Sequence, residues 1–158
     1  MSVLGQLIGK ILKPIVERQG RGHSLEAWAA VLEASGREVS ARLEGATDTP
    51  TNREVANHIV GIERWGQRRL RVALGEAPVL DSYRGYRLPE GTAMAELAQA
   101  FVDTRWQTVE LANALSSATL RPETKIEHND FGALSVRGLL AYLSGHAKRE
   151  TVRLREHR

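Results

Sequence analysis

The sequence predicts an all-α protein: a four-helix bundle with crossover connections, preceded by an extra N-terminal helix. Three observations carry this. Apolar residues recur at helical spacing through most of the chain, strict strand-like alternation is absent, and two long connections separate the helical stretches. At 158 residues the chain is the size of one domain, 1–158, with residues 1–20 as an amphipathic N-terminal helix and 24–156 as the bundle core.

The first helix covers roughly Val3 to Arg18. Val3, Leu4, Leu7, Ile8, Ile11, Leu12, Ile15 and Val16 form a continuous apolar stripe. Pro14 should bend or break it, and the Gln19-Gly20-Arg21-Gly22 segment should end it. The second runs from a Ser24 cap to Leu43, with Leu25, Trp28, Ala29, Leu32, Val39 and Leu43 inward and Gly45 as a stop. The third begins near Pro50, where Thr51 and Glu54 fit a capping box, and reaches Leu74. Val55, Ile59, Ile62, Leu70 and Ala73 form its apolar face.

Residues 76–91 then make a long connection rich in proline, glycine and tyrosine. The fourth helix spans a Thr92 cap to Leu115, with Met94, Leu97, Phe101, Thr108, Leu111 and Leu115 inward. A second long connection follows, residues 116–134. The last helix starts at Ser135 and runs towards the C-terminus with Leu139, Leu140, Leu143 and Leu154 inside.

Composition excludes several chemistries. There is no cysteine, so a disulfide framework, a thiolate metal site and a cysteine nucleophile are all ruled out. A metal would need histidine and carboxylate ligands. The formal charge of +3 is mild, and the densest basic run, Arg64, Arg68, Arg69 and Arg71, reads as a solvated helix face rather than a nucleic-acid patch. No stretch is apolar for long enough to cross a membrane, and the N-terminus is a poor signal peptide, so the expectation is a cytoplasmic protein with neither nucleic acid nor membrane as partner. Phosphate-binding loops, dinucleotide fingerprints and nucleophile elbows are missing.

The informative residues are polar ones on apolar faces. At 100° per residue with Val55 as zero, His58 falls at about 300°, beside Ile62 and Trp65. With Val136 as zero, His146 falls at about 280° and Glu150 at about 320°, within the stripe of Leu139, Leu143 and Leu154. A buried carboxylate is costly without a partner. His146 and Glu150 lie one turn apart, and a third ligand from a facing helix would complete a metal site of the kind bundle cores hold. The metal-ligand candidates are therefore His58, His146 and Glu150. The competing account is hydrogen-bonded packing, with Glu150 paired to Arg53, Arg69 or another arginine, or to His146 itself. His128, in the loop sequence Glu-His-Asn-Asp, reads as solvated, though it could approach the site as a base; His23 and His157 read as exposed. Tyr83, Arg84, Tyr86 and Arg87 could line a pocket mouth, and Thr104 and Thr108 face inward.

Two segments carry a family resemblance. Residues 51–74, in which His58 precedes Glu63-Arg64-Trp65, and residues 134–156, which read His146-Ala-Lys-Arg-Glu150 and then Val152, Leu154 and Arg155, resemble bundle helices of the DinB-like (YfiT-like) superfamily. The resemblance covers roughly residues 24–156. It implies a bundle with two crossing connections and a divalent metal, zinc or nickel, held by three histidines. It also implies thiol-dependent S-transfer, with mycothiol or bacillithiol, or maleylpyruvate isomerisation among the reactions. His58 and His146 match two of the histidines; Glu150 stands where the third belongs, which lowers the charge and Lewis acidity of the centre.

Two functions follow as expectations. One is a metal-dependent hydrolase or S-transferase acting on a small-molecule substrate, any thiol being a small-molecule co-substrate because the protein has none. The other is a non-catalytic bundle with a degenerate metal site, serving ligand binding or self-association. The N-terminal stripe would cover its own bundle, form a homodimer seam, or, least of all, lie on a membrane.

Overall fold

The computed structural model describes residues 3–120 and 124–156. It is mainly helical, as the periodicity requires. Five helices, α1 (Val3–Arg21), α2 (Ala27–Glu44), α3 (Pro50–Ala73), α4 (Met94–Ser117) and α5 (Val136–Thr151), are joined by a 3-10 turn at Tyr83–Tyr86 and a hairpin of β1 (Lys125–His128) and β2 (Gly132–Ser135). α2 packs on α4 and α5, and α3 packs on the same two, so α2 and α3 face each other diagonally. α1 lies outside this group, against α5 and β2.

The hairpin corrects the expectation that strands are absent. The strands pair antiparallel with His128 opposite Gly132, and Gly132 takes φ 64°, the left-handed conformation a three-residue hairpin loop needs. Helix ends also shift. α1 continues through Pro14 to Arg21. It ends within the Gln19–Gly22 segment, as read; at Gly20 a Cβ would stand 2.7 Å from the Arg137 backbone, so α1 and α5 meet closely there. α2 begins at Ala27, whose N–H donates to Ser24 Oγ. The cap of α3 is Thr49, not Thr51, with Pro50 in the first turn and Asn52 N–H donating to Thr49 Oγ1. α4 starts after Ala93, and the Thr92 hydroxyl donates instead to Pro89 O. Ser135 caps α5 by accepting from Gly138 N–H, but α5 ends at Thr151 and Leu154 packs from beyond it.

Two contacts fix α3 and α5 relative to each other. Gly66 faces Leu143, and any side chain larger than hydrogen would overlap its methyl groups. At the other end the fully buried Asn52 donates to Thr47 O at 2.7 Å and Arg155 O at 2.8 Å, and accepts from Arg155 N–H. The start of α3 is thereby tied to the chain leaving α5, which sets His58 across from His146.

Candidate metal centre

His58 projects from the third turn of α3 and His146 and Glu150 from the last turns of α5. One ligand atom from each lies within 4.8 Å of the others, so the three residues singled out by the helical wheel meet at one point. The two imidazole Nε2 atoms stand 3.1 Å apart. Two nitrogens sharing a zinc at roughly 2.0–2.1 Å in a tetrahedral shell stand about 3.3 Å apart, so the spacing suits two ligands of one cation. It also suits a hydrogen bond between neutral rings.

Electrostatics favour neutral imidazoles, the form that binds metal. Burial holds His146 down to about 3, with the neighbouring His58, Arg149 and His128 acting in the same direction. Burial also lowers His58, only partly offset by Glu150. Glu150 is half-buried and forms an ion pair with Arg153 at 2.6 Å, rather than with Arg53 or Arg69 and rather than with His146. That pair joins residues three apart at the surface and is a weak competitor for the carboxylate. Two neutral imidazoles and one carboxylate therefore fit a divalent zinc-, nickel- or iron-class ion.

The walls are aromatic. Tyr83, brought in by the 3-10 turn, stands edge-on to His58 at 5.0 Å, and the Tyr142 ring lies 5.5 Å from His146. Arg87 stacks on Tyr83 and pairs with Glu54 at 2.8 Å. Tyr83 and Arg87 thus stand beside the cluster, whereas Tyr86 turns to Asp81, with its hydroxyl donating at 2.5 Å.

His128 is not a solvated loop residue. It ends β1 at 5% exposure, stacked on Phe131 and edge-on to Trp65 and Tyr142. Its Nδ1 accepts from the backbone N–H of Asp130 and Phe131, which puts its proton on Nε2. Burial lowers it to about 4, and its one lone pair, on Nδ1, is already engaged while Nε2 is buried without a partner, so it reads as a packing residue rather than a base. His23 is exposed, as expected; His157 lies outside the described residues.

The arginine run also departs from expectation. Arg69 is 2% exposed, pairs with Asp81 and donates to Val79 O and Asn129 Oδ1, so it clamps the 76–81 connection and the hairpin onto α3. Arg68 binds Glu76 at 3.0 Å, and Arg64 donates to Thr104 Oγ1.

Sequence reasoning missed one constellation. Glu63, 1% exposed, accepts from Nη2 of Arg105 at 3.0 Å and from the Thr108 hydroxyl at 2.7 Å, and forms an ion pair with Arg105, whose Nε stands 2.8 Å away. Arg105 also reaches Ser35 and Leu32 O, and Gln67 reaches Thr104 O and Thr108. Thr104 and Thr108 therefore serve this network and not a pocket. Apart from Arg105 Nε, which is buried without a hydrogen bond, its polar groups are paired with one another, which marks a structural tie among α2, α3 and α4. A separate groove of about 800 Å³ between α2 and α4, lined by residues including Trp106 and Arg37, contains none of the three ligand candidates.

Among the described residues no helix is long and apolar enough to cross a membrane. No family model, no curated protein and no solved structure matches this chain.

Proposed function

We propose that the chain is a DinB-like metal-binding four-helix bundle, working in the cytoplasm as a homodimer, that holds a divalent cation through His58, His146 and Glu150 and acts on a small molecule. The convergence of the three side chains from two helices, with both imidazoles kept neutral, is the observation that carries this. A zinc or nickel ion held there supplies Lewis acidity, lowering the pKa of a coordinating water or thiol. Hydrolysis or thiol-dependent S-transfer are the reaction classes that such chemistry serves, and with no cysteine in the chain any thiol arrives with a small molecule. The protein's own contribution is positional. Burial keeps the two imidazoles unprotonated, Glu150 contributes the only ligand charge, and Tyr83 and Tyr142 line the two histidines and limit water at their faces.

The alternative, a bundle whose metal site is degenerate, is favoured by a specific observation. The 3.1 Å contact between His58 and His146 and the Glu150–Arg153 pair leave the cluster satisfied without an ion.

Metal content of tag-free protein, measured by mass spectrometry, separates the two readings. One metal per chain is expected, lost in His146→Ala and Glu150→Ala, since removing one of three ligands weakens a site severely. Folded, metal-free protein that gains none on titration with zinc or nickel, and whose melting temperature is unmoved by either ion and by His58→Ala, overturns the metal reading.

A further inference from the structure

Two unpartnered surfaces of this chain complement each other. The first is the groove between α2 and α4. From Glu33 to Glu44 of α2 it runs for roughly 17 Å, about three turns of helix. Gly36, Ser40 and Ala41 line its α2 side, where small side chains leave room for another helix. Val102 and Trp106, one turn apart on α4, give it an exposed apolar wall. Its rim is acidic. Glu33, Glu44, Asp103 and Glu110 stand there with Arg37 as the one exposed cation, and among the described residues only Glu33 of the four has an ion pair, to Arg37 at 3.9 Å. The second surface is the outer face of α1, where Ile11, Leu12 and Ile15 are exposed. At 100° per residue, Arg18 lies about 60° and Arg21 about 120° to one side of Ile15, both exposed and, among the described residues, without an ion pair. The one carboxylate of α1, Glu17, is turned inward onto Ser135. The helix face is thus apolar and basic, and the groove apolar and acidic.

We propose that the α2–α4 groove receives the outer face of α1 from a second copy of the chain, two such contacts about a two-fold axis closing the homodimer. The inference rests on the homodimer of the proposed function and names the surface that α1 meets. α1 cannot fill the groove of its own protein, because Glu17 and Gly20 fasten its inner face to Ser135 and Arg137 at the start of α5. Charge selects the groove over a second α1 as the opposing surface. Two α1 faces packed together would bring four arginines into one seam with no carboxylate between them, and would leave Trp106 in water. In the groove the same arginines meet Glu44, Asp103 and Glu110, and Trp106 is covered.

Trp106 supplies the test. Trp28 and Trp65 are buried, so acrylamide quenching of the full-length protein reads the one exposed tryptophan, and light scattering on the same dilution series reads the assembly. Quenching of the exposed tryptophan should be lost as the protein associates, and should persist at every concentration in Ile11→Glu with Ile15→Glu. Arg18→Glu with Arg21→Glu should leave the protein monomeric with its melting temperature unchanged. Adding Asp103→Arg and Glu110→Arg, which flank Trp106 on α4, to that chain should restore the dimer, because the charges are exchanged across one contact. A dimer in which Trp106 stays open to acrylamide, or a charge exchange that fails to restore the dimer, overturns this inference and leaves the homodimer standing with another seam. Wild-type protein that is monomeric at every concentration overturns the homodimer itself, and this inference with it; metal content decides the cluster separately.

Discussion

Single residues show how burial changes a side chain's role, and His128 is the clearest case. In the unfolded chain its imidazole titrates near the ordinary value, about 6.5. In the fold, burial lowers it to about 4. A lowered histidine contributes stability that is fully present above the unfolded value and is lost as pH falls from there through the folded value. The window is therefore pH 6.5 down to 4. Its depth is about 3 kcal/mol at the low end, because each tenfold loss of proton affinity on folding corresponds to about 1.4 kcal/mol. His146 titrates in the same direction, so the slope of the wild type alone does not isolate His128. His128→Phe does. Its stability deficit relative to wild type, from urea unfolding, should be constant above pH 7 and shrink steadily between pH 6.5 and 4.5. A deficit that stays constant across the whole range would show that His128 is not held neutral by the fold.

At the scale of elements, close approach rather than propensity places the site. Gly20 lets α1 settle on the first turn of α5, with backbone atoms as its nearest neighbours. Backbone cannot swing aside as a side-chain tip can, so Gly20→Ala should cost about 1–3 kcal/mol in chemical denaturation, the range for overpacking. An unchanged midpoint would mean that α1 is loosely docked. The helices themselves were legible because their apolar faces are long: Trp28, Leu32, Val39 and Leu43 on α2, and Leu97, Phe101 and Leu115 on α4, are all buried as read. The candidate metal cluster was legible for the same reason, since a histidine or glutamate inside a periodic stripe has a calculable direction. Two kinds of feature were not. β1 and β2 have four residues each, too short for alternation to stand out, although buried Ile126 and His128 do alternate with exposed Lys125 and Glu127, and the turn residues Asn129-Asp130-Phe131 precede Gly132. Glu63 and Arg69 were missed because an amphipathic reading assigns α3 one wet face. Here α4, α5, the 3-10 turn and β1 all pack against it, so polar residues pointing away from the apolar stripe are buried too.

Across the whole molecule, α1 has two faces with different work. Its inner face belongs to the fold. Val16 joins the core, Trp28 Nε1–H donates to Gly20 O at 3.3 Å, and Glu17 accepts from both the Ser135 N–H, at 2.7 Å, and the Ser135 hydroxyl, at 2.6 Å, at the start of α5. Burial opposes the Glu17 charge, but these bonds hold its carboxyl below the ordinary value. The outer face leaves Ile11 64% exposed and Ile15 50% exposed, with Leu12 beside them, so the stripe read from the sequence is only partly covered by its own protein. That unburied half would be the seam of the proposed homodimer. Deleting the helix would be a poor test, because it also removes the Glu17 anchor of the helix that carries His146 and Glu150. Point substitutions separate the faces. Ile11→Glu with Ile15→Glu should convert a concentration-dependent dimer to a monomer in light scattering while leaving the melting temperature unchanged, since neither side chain is buried in the protomer. Glu17→Ala should do the opposite, lowering the melting temperature and leaving the assembly intact. Three aliphatic side chains cover far less than the roughly 800 Å² per partner of a standard interface, so the association should be weak and should dissociate on dilution. A wild-type protein that is monomeric at every concentration, or a dimer indifferent to the double substitution, removes the outer face of α1 from the assembly.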